Sequence, residues 1–529
     1  MGEVTAIIFE SSGKDLKRSG GFAATISRNI VASLARVFVV SLIALVLPAY
    51  LTHRLPVTTY AAWVLILQLA AYVSYLDLGI QIGVSKFVAE FEARGDDAGA
   101  SRHASAGLAL MVLTGTLGLL LTFALSWRVP SLFRTMPASL YHDVRLSVLL
   151  LGTSMSVGLL CSVYSAVFLG LQRYWIPMTV AIVNRTSFAL IVIIVVAFHG
   201  TLSEMGAAAA LVNVITGLLQ IAAWRMKAAH IQVSLYSLDY RILKKVARYC
   251  SLQSISMIAM LFVMGLDVTI VGHYDYAQTA YYSVATLPTS FALSIIGSMI
   301  GPLMPASSAL STKRSALGMG ELLAKVTRYA TIILFLTGLP LIVCGFPLLR
   351  FWVGPVYAVH TLKYLRILIF ANVVRSLCLP YATMIAATGR QRAYTTAAVS
   401  EAAVNLGSSI CLAIRFGAIG VALGTLIGSF VSVSLHFSVS MRYTQSTLAI
   451  SRSRLLIKGM LQPAIIAIPS LILFPFWGSP THLSLGPQLT ILWAFSTLFC
   501  AWLGGLKAKE RDDLIRHFRR RVMLLSNAD

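Results

Sequence analysis

The stretch Val180–Val196, VAIVNRTSFALIVIIVV, decides what kind of chain this is. Apart from Asn184 and Arg185 it is long and apolar enough to be a helix lying in lipid. A guanidinium keeps its charge at physiological pH. Holding one at a bilayer centre costs about 2.5–3.5 kcal/mol on insertion scales. A chain that keeps Arg185 there needs a wet or anionic neighbourhood for it.

The surrounding sequence is of the same kind. The 529 residues are 57% hydrophobic and 12% charged, with a mean hydropathy of +0.81. Soluble domains carry about 25% charged residues. Apolar segments of about 20 residues, the length that crosses about 30 Å of hydrocarbon, recur throughout. The class is an all-α polytopic membrane protein. Barrel strands, which alternate over about ten residues, do not fit.

Fourteen spans are predicted, at about 30–52, 60–83, 104–127, 145–169, 176–198, 205–224, 250–272, 280–305, 328–349, 362–388, 394–414, 418–440, 459–478 and 487–506. With the N-terminus in the cytoplasm, 31 of the 42 Lys and Arg fall on the cytoplasmic side and eight outside (Arg54, Arg128, Arg134, Arg145, Arg350, Lys363, Arg366 and Arg415). Arg36, Arg185 and Arg375 stay inside spans. That bias is the positive-inside pattern, and it puts both termini in the cytoplasm. The net charge of +23 is read as the same loop bias, not as a nucleic-acid footprint. Residues 1–29 are polar and mixed in charge, which reads as a cytoplasmic tail, not a cleavable signal. The six cysteines lie in or beside apolar segments with no CxxC, so they read as small packing residues.

A weak internal repeat gives the domain plan. GLQRY (Gly170–Tyr174) follows span 4, and GRQRAY (Gly389–Tyr394) follows span 10. Each leads into a long helix, a short turn and a Gly-Ala-rich helix. Spans 1–6 and 7–12 are then parallel halves, a common transporter plan. The expected units are the tail 1–29, a first lobe 30–228, a cytoplasmic amphipathic linker helix 229–249, a second lobe 250–441, a hairpin of spans 13 and 14 over 442–506, and a basic cytoplasmic tail 507–529. In the linker, SLDYRILKKVARYC (Ser237–Cys250) carries Leu238, Ile242, Val246 and Cys250 at helical spacing with basic residues opposite, as an interfacial helix does.

Ionisable groups within spans face a bundle interior, pair with each other, or mark a substrate path. Arg36 sits about 10 Å in from the cytoplasmic end of span 1 and can snorkel to the surface. Asp77 is near the cytoplasmic end of span 2, with Lys86 and Arg28 as candidate partners that would lock helix ends. Asp267 is in the outer part of span 7, near outer water. Arg185 and Arg375 lie near mid-membrane in spans 5 and 10. Glu401 lies in span 11, with Asn405 one turn on along the same face. Guanidinium forks bind phosphate oxygens in pairs, so deep arginines suit a large anion. Glu401 is either their ion-pair partner or a coupling-ion site. The candidate substrate-binding set is Arg36, Asn184, Arg185, Arg375 and Asn405, and the candidate ion-coupling or gating set is Asp77, Asp267 and Glu401. No catalytic residue, metal ligand or cofactor motif is read. The sequence contains no Walker A loop, GxGxxG after a strand, HExxH or GxSxG, so it reads as neither an enzyme nor an ATP-driven motor.

TTYAAWVLILQLAAYVSYLDLGIQIGVSKFVAEFEARGDD (Thr58–Asp97) resembles the span 2 signature of bacterial polysaccharide flippases, with Leu76–Gly79 and Glu92–Asp97 fitting well and alanine at 61 or 62 where glycine is common. GLQRY and LLRFWVGPVYA (Leu348–Ala358) resemble the same family. The chain is thus similar over nearly its whole length to the Wzx-type oligosaccharidyl-lipid flippases of the multidrug/oligosaccharidyl-lipid/polysaccharide exporter superfamily. The resemblance implies two six-helix lobes with a cavity that opens alternately to each side of the bacterial inner membrane. It implies an undecaprenyl-diphosphate-linked oligosaccharide as substrate, for exopolysaccharide, capsule or O-antigen synthesis. Membrane lipids would surround the chain, and a polysaccharide polymerase and chain-length machinery would be its partners. The alternatives are a cation-coupled multidrug or metabolite exporter of the same fold, and a lipid II flippase.

Overall fold

The computed structural model describes residues 19–300, 303, 307, 316–388, 392–473, 487–505 and 511. Residues 1–18 of the expected tail, residues 389–391 of the second repeat motif and, apart from Arg511, the basic tail 507–529 lie outside them. Described residues are helical almost throughout, without a strand. Among them, twelve helices are long and apolar enough to cross a membrane. Two further helices, Tyr276–Ile300 and Pro487–Cys500, fill the places of spans 8 and 14. The chain is a polytopic membrane protein, divided into two compact units at Ile258/Ala259.

In the first unit α1 (Ser19–Arg54) is followed by α2 (Val57–Tyr75), α3 (Ile80–Glu92), α4 (Asp97–Leu132), α5 (Tyr141–Gly170), α6 (Trp175–Ala197) and α7 (Leu202–Lys227). Span 2 is broken where LDLG stands. Leu78 (φ 47°) and Gly79 (φ 76°) are both left-handed, a conformation glycine takes freely and leucine only at a cost. Among the described side chains no ion pair joins Asp77 to Lys86, and the side chain of Arg28 lies outside them. Asp77 Oδ1 accepts from the Gln81 amide at 3.3 Å and satisfies the open start of α3. The Leu78 carbonyl accepts from Ser254 Oγ at 3.1 Å. Lys86 lies over the Tyr249 ring, 4.2 Å from its centroid.

Polar turns tie the ends of this unit together. Asp96 caps α4 by accepting from the Gly99 amide, and Thr201 with Glu204 forms a capping box on α7. GLQRY is the turn between α5 and α6. In it Arg173 Nη1 donates to the Lys227 carbonyl, closing the end of α7, and the Gln172 carbonyl accepts from Asn29 of α1 at 2.8 Å.

α8 (Tyr240–Met260) continues without interruption from the expected linker into span 7. A π-helical turn, Leu261–Gly265, then separates it from α9 (Asp267–Tyr274). The second unit continues with α10 (Tyr276–Ile300), α11 (Ala316–Val343), α12 (Gly345–Val353), α13 (Pro355–Ser376), α14 (Leu379–Ala387), α15 (Arg392–Phe416), α16 (Ala418–Leu435) and α17 (Met441–Leu448). Span 13 is irregular: π and 3-10 turns over Leu455–Ala467 lead into α18 (Ile468–Leu473). α19 (Pro487–Cys500) is span 14. The helix of span 9 starts twelve residues before the position read from hydropathy, because the amphipathic turns from Ala316 onward continue the same helix.

The two units pair their spans alike. In the first, α1 packs on α6, α2 on α5, α5 on α7, and α6 on α7. In the second, α9 packs on α15, α10 on α13, α13 on α16, and α15 on α16. These are the same pairings six spans later, as a duplicated helix plan requires.

Small residues permit the closest of these approaches, as is usual within a bilayer. At Gly424 of α16 an added Cβ would stand 2.5 Å from the Ser409 backbone nitrogen and Cα. Gly424→Ala must push α15 and α16 apart and should destabilise the protein by about 1–3 kcal/mol. Gly407→Ala, where nothing lies within 4 Å of the added carbon, should leave the melting midpoint in detergent unchanged. Equal midpoints for the two variants would refute the close-packing account.

Candidate functional site

The sequence-predicted residues fall into two groups, one in each unit. In the first unit, a cavity of about 400 Å³ is lined by side chains from α1, α2, α5, α6 and α7. Arg36 enters it from α1 and Arg185 from α6. The pairing of α1 with α6 brings these two arginines, 149 positions apart, to one chamber. Among the described residues, no carboxylate lines it. Arg36 Nε is buried without a hydrogen-bond partner among the described residues, and so is Gln220 Oε1 on the same wall. Two like charges in one chamber repel unless an anion or water lies between them.

Asn184 holds the wall in place. Its amide nitrogen donates to Asn213 Oδ1 and to Thr216 Oγ1, both at 3.1 Å, and Asn213 donates in turn to Ser154 Oγ at 3.1 Å. The chain Ser154–Asn213–Asn184–Thr216 ties α5, α6 and α7 together one turn from Arg185. Asn184 is thus committed to positioning through both donors, while its carbonyl side still borders the cavity.

In the second unit, Arg375 near the end of α13 forms an ion pair with Glu401 of α15 through Nε and Oε1. The side chains are 13% and 8% exposed, which makes this a buried pair. Arg375 Nη1 also donates to Asn372 Oδ1 at 3.2 Å, and its Nη2 is buried without a partner among the described residues. Of the two sequence readings of Glu401, the structure has the ion pair.

Asp267 is not a boundary residue. It is buried at the start of α9, directly after the π turn. Its Oδ2 accepts from Thr425 Oγ1 at 3.0 Å and from the Tyr282 hydroxyl at 3.3 Å, while Oδ1 has no partner among the described residues. Asn405 supports the same region. Its Nδ2 donates to the Val263 carbonyl inside the π turn at 3.3 Å, and its Oδ1 accepts from Ser409. A buried carboxylate with one unused oxygen, bordered by hydroxyls, is chemistry that accepts a proton or a small cation. Outside both groups, exposed Glu92, Asp97 and His230 bring potential metal-ligand atoms within 4.8 Å of one another, an arrangement acidic surfaces often show.

No family model matches the sequence, and no curated protein matches it. Solved structures do match. The lipid II flippase MurJ, in an inward closed conformation, aligns at a TM-score of 0.68 with 14% identity, covering 89% of this chain and 98% of that one. An inward-facing multidrug resistance MATE family transporter of the MOP superfamily aligns at 0.66 with 17% identity, covering 78% and 96%. A MOP superfamily transporter from Pyrococcus furiosus Vc1, described as having a binding pocket of reversed polarity, aligns at 0.55 with 18% identity, covering 81% and 96%. The chain has the fold of MOP superfamily transporters. These matches are transporters and a flippase, not enzymes.

The MOP fold places several polar residues that sequence reading missed. Asn213, Thr216 and Gln220 lie three and four positions apart in α7, so they form one polar stripe on the cavity side. That spacing was visible in the sequence. Arg328 stands at the first position of the predicted span 9. It is 4% exposed within α11, with its guanidinium 5.3 Å from the centroid of the Tyr329 ring.

Proposed function

We propose that this chain is a flippase for an undecaprenyl-diphosphate-linked oligosaccharide. It would move the repeat unit across the bacterial inner membrane for exopolysaccharide, capsule or O-antigen synthesis, by alternating access. The observation that carries this reading is the first-unit cavity, where Arg36 and Arg185 stand together with no carboxylate. A diphosphate diester brings two negative charges and enough oxygens for paired, charge-assisted bonds to both guanidinium groups. Gln220, whose Oε1 has no partner among the described residues, offers an amide of the kind that meets sugar hydroxyls. A hydrophobic cation would be repelled there, which weighs against the drug-exporter reading.

In this reading Asp267 is the coupling-ion group, Asp77 fixes the break in span 2, and Arg375 with Glu401 forms an ion pair whose opening would accompany gating. Asn405 would hold the backbone beside Asp267. Polymerase and chain-length machinery would take the product outside. A lipid II flippase is the second reading, supported by the 89% coverage of this chain by MurJ, a protein named for a lipid substrate.

The test is a deletion strain assayed for lipid-linked repeat units, surface polysaccharide and cationic dye efflux. Repeat units should accumulate facing the cytoplasm, surface polymer should fall to a small residue, and efflux should stay unchanged. Intact polymer with lost dye efflux would transfer the protein to the exporter reading. Intact polymer with impaired peptidoglycan synthesis would transfer it to lipid II.

A further inference from the structure

The second unit contains a larger cavity, of about 550 Å³, that none of the groups above touches. It lies between α11, α13, α16 and α18. Span 13 packs chiefly on α11, where Ile332, Leu339, Ile466 and Trp493 form a common core. It leaves an open gap toward α13. The walls are Phe335, Leu339, Ile367, Phe370, Leu426 and Leu471, with Phe370 and Leu471 largely exposed. The one polar uncharged side chain, Ser470, accepts from Trp493 Nε1 at 2.9 Å and is therefore already engaged. Apolar cavities of this kind do not fill with water.

Two cations stand on its α13 wall. Lys363 and Arg366 line the same groove one turn apart. Lys363 is exposed, and Arg366 Nε donates to the Ile342 carbonyl at 3.2 Å, which holds its guanidinium plane against α11. Their depth can be placed. α13 is separated from α14 by a turn at Leu377–Cys378, and the apolar stretch read from the sequence as span 10 (362–388) begins beside Lys363 at its outer end. Lys363 lies about 12 Å from the Pro355 end, at the boundary where lipid phosphates sit, with Arg366 one turn deeper.

An apolar groove with exposed walls at Phe370 and Leu471 and two cations at one end has the chemistry of a site for a charged lipid. We infer that this groove binds one anionic diacyl phospholipid, with an acyl chain between α18 and α13 and its phosphate at Lys363 and Arg366. The lipid fills the gap that the irregular span 13 cannot close, and so fastens span 13 to the rest of the second unit. This inference is independent of the transported substrate.

Native mass spectrometry of the full-length protein, titrated with phosphatidylglycerol or with phosphatidylcholine of the same chains, tests it. One phosphatidylglycerol should be retained in preference to phosphatidylcholine. Lys363→Gln should weaken that retention about fivefold, the factor expected for one cation near a lipid surface. Leu471→Trp, a change at an exposed groove position, should fill the groove and abolish retention of both lipids. Three results would each overturn the inference: equal retention of the two lipids by the unaltered protein, full phosphatidylglycerol retention by Leu471→Trp, or displacement of phosphatidylglycerol by an equimolar polyprenyl phosphate.

Discussion

Arg185→Ala is expected to lower transport by about 100-fold while the protein inserts normally and melts no lower than the unaltered chain. The two halves of that expectation have one origin. Arg185 shares its cavity with Arg36 and with no carboxylate. The resting protein therefore gains nothing from its charge, and removing it relieves repulsion from Arg36. The substrate, in the flippase reading, gains charge-assisted bonding of about 2.7 kcal/mol in all from this guanidinium, which converts to the stated loss. Arg185→Lys keeps the charge and loses the planar fork, so it should recover only part of the rate. Arg36→Ala should behave like Arg185→Ala. The readout is surface polymer in cells together with melting of the purified protein. Normal polymer from both alanine variants would sink the anion-cavity reading. A large fall in melting midpoint would show instead that these arginines hold the fold.

Glu401→Ala should do the reverse. It strands the Arg375 guanidinium in a site where both partners are nearly excluded from solvent. Breaking a buried pair by removing one member typically costs about 3–5 kcal/mol, because the surviving charge remains desolvated. The expected result is a strongly destabilised protein, seen as low yield and early melting. Replacing both members together, Arg375→Met with Glu401→Leu, should restore most of that stability, since a well-packed apolar pair of similar volume is often neutral. Transport by the double variant then separates two roles. Activity near normal means the pair only holds α13 to α15, whereas a stable but inactive protein means it must open and close. Wild-type melting of the Glu401→Ala single variant would contradict the buried pairing.

Much of this architecture was legible before any coordinates. Hydropathy alone located the twelve helices that are long and apolar enough to cross a membrane, because every backbone polar group in hydrocarbon must be satisfied within its own helix. The breaks inside spans were less visible. LDLG interrupts span 2, yet only Gly79 advertised it; the left-handed Leu78 is stabilised by Ser254, 176 positions away. The burial of Asp267 was hidden for a similar reason, since its partner Thr425 is 158 positions distant. Long-range partners have no signature in a single sequence. Arg36 and Arg185 could be singled out by their cost to a lipid-facing helix, but their meeting in one cavity depended on the pairing of α1 with α6. Gln220 and Asn213 were readable from their spacing and passed over because amides carry no charge to draw attention.

The acid-free cavity also has an electrical meaning. Two guanidinium groups make the empty chamber doubly positive, whereas a bound diphosphate diester makes it neutral. In the flippase reading the loaded step is then blind to the membrane voltage, while the empty step carries the cavity's charge through whatever part of the field it crosses. A full crossing is worth about 2.3 kcal/mol per unit charge at 100 mV. With the cell interior negative, that voltage draws the unloaded carrier back toward the cytoplasmic side. The resting potential of the cell would thereby reset the transporter after each delivery, without nucleotide hydrolysis.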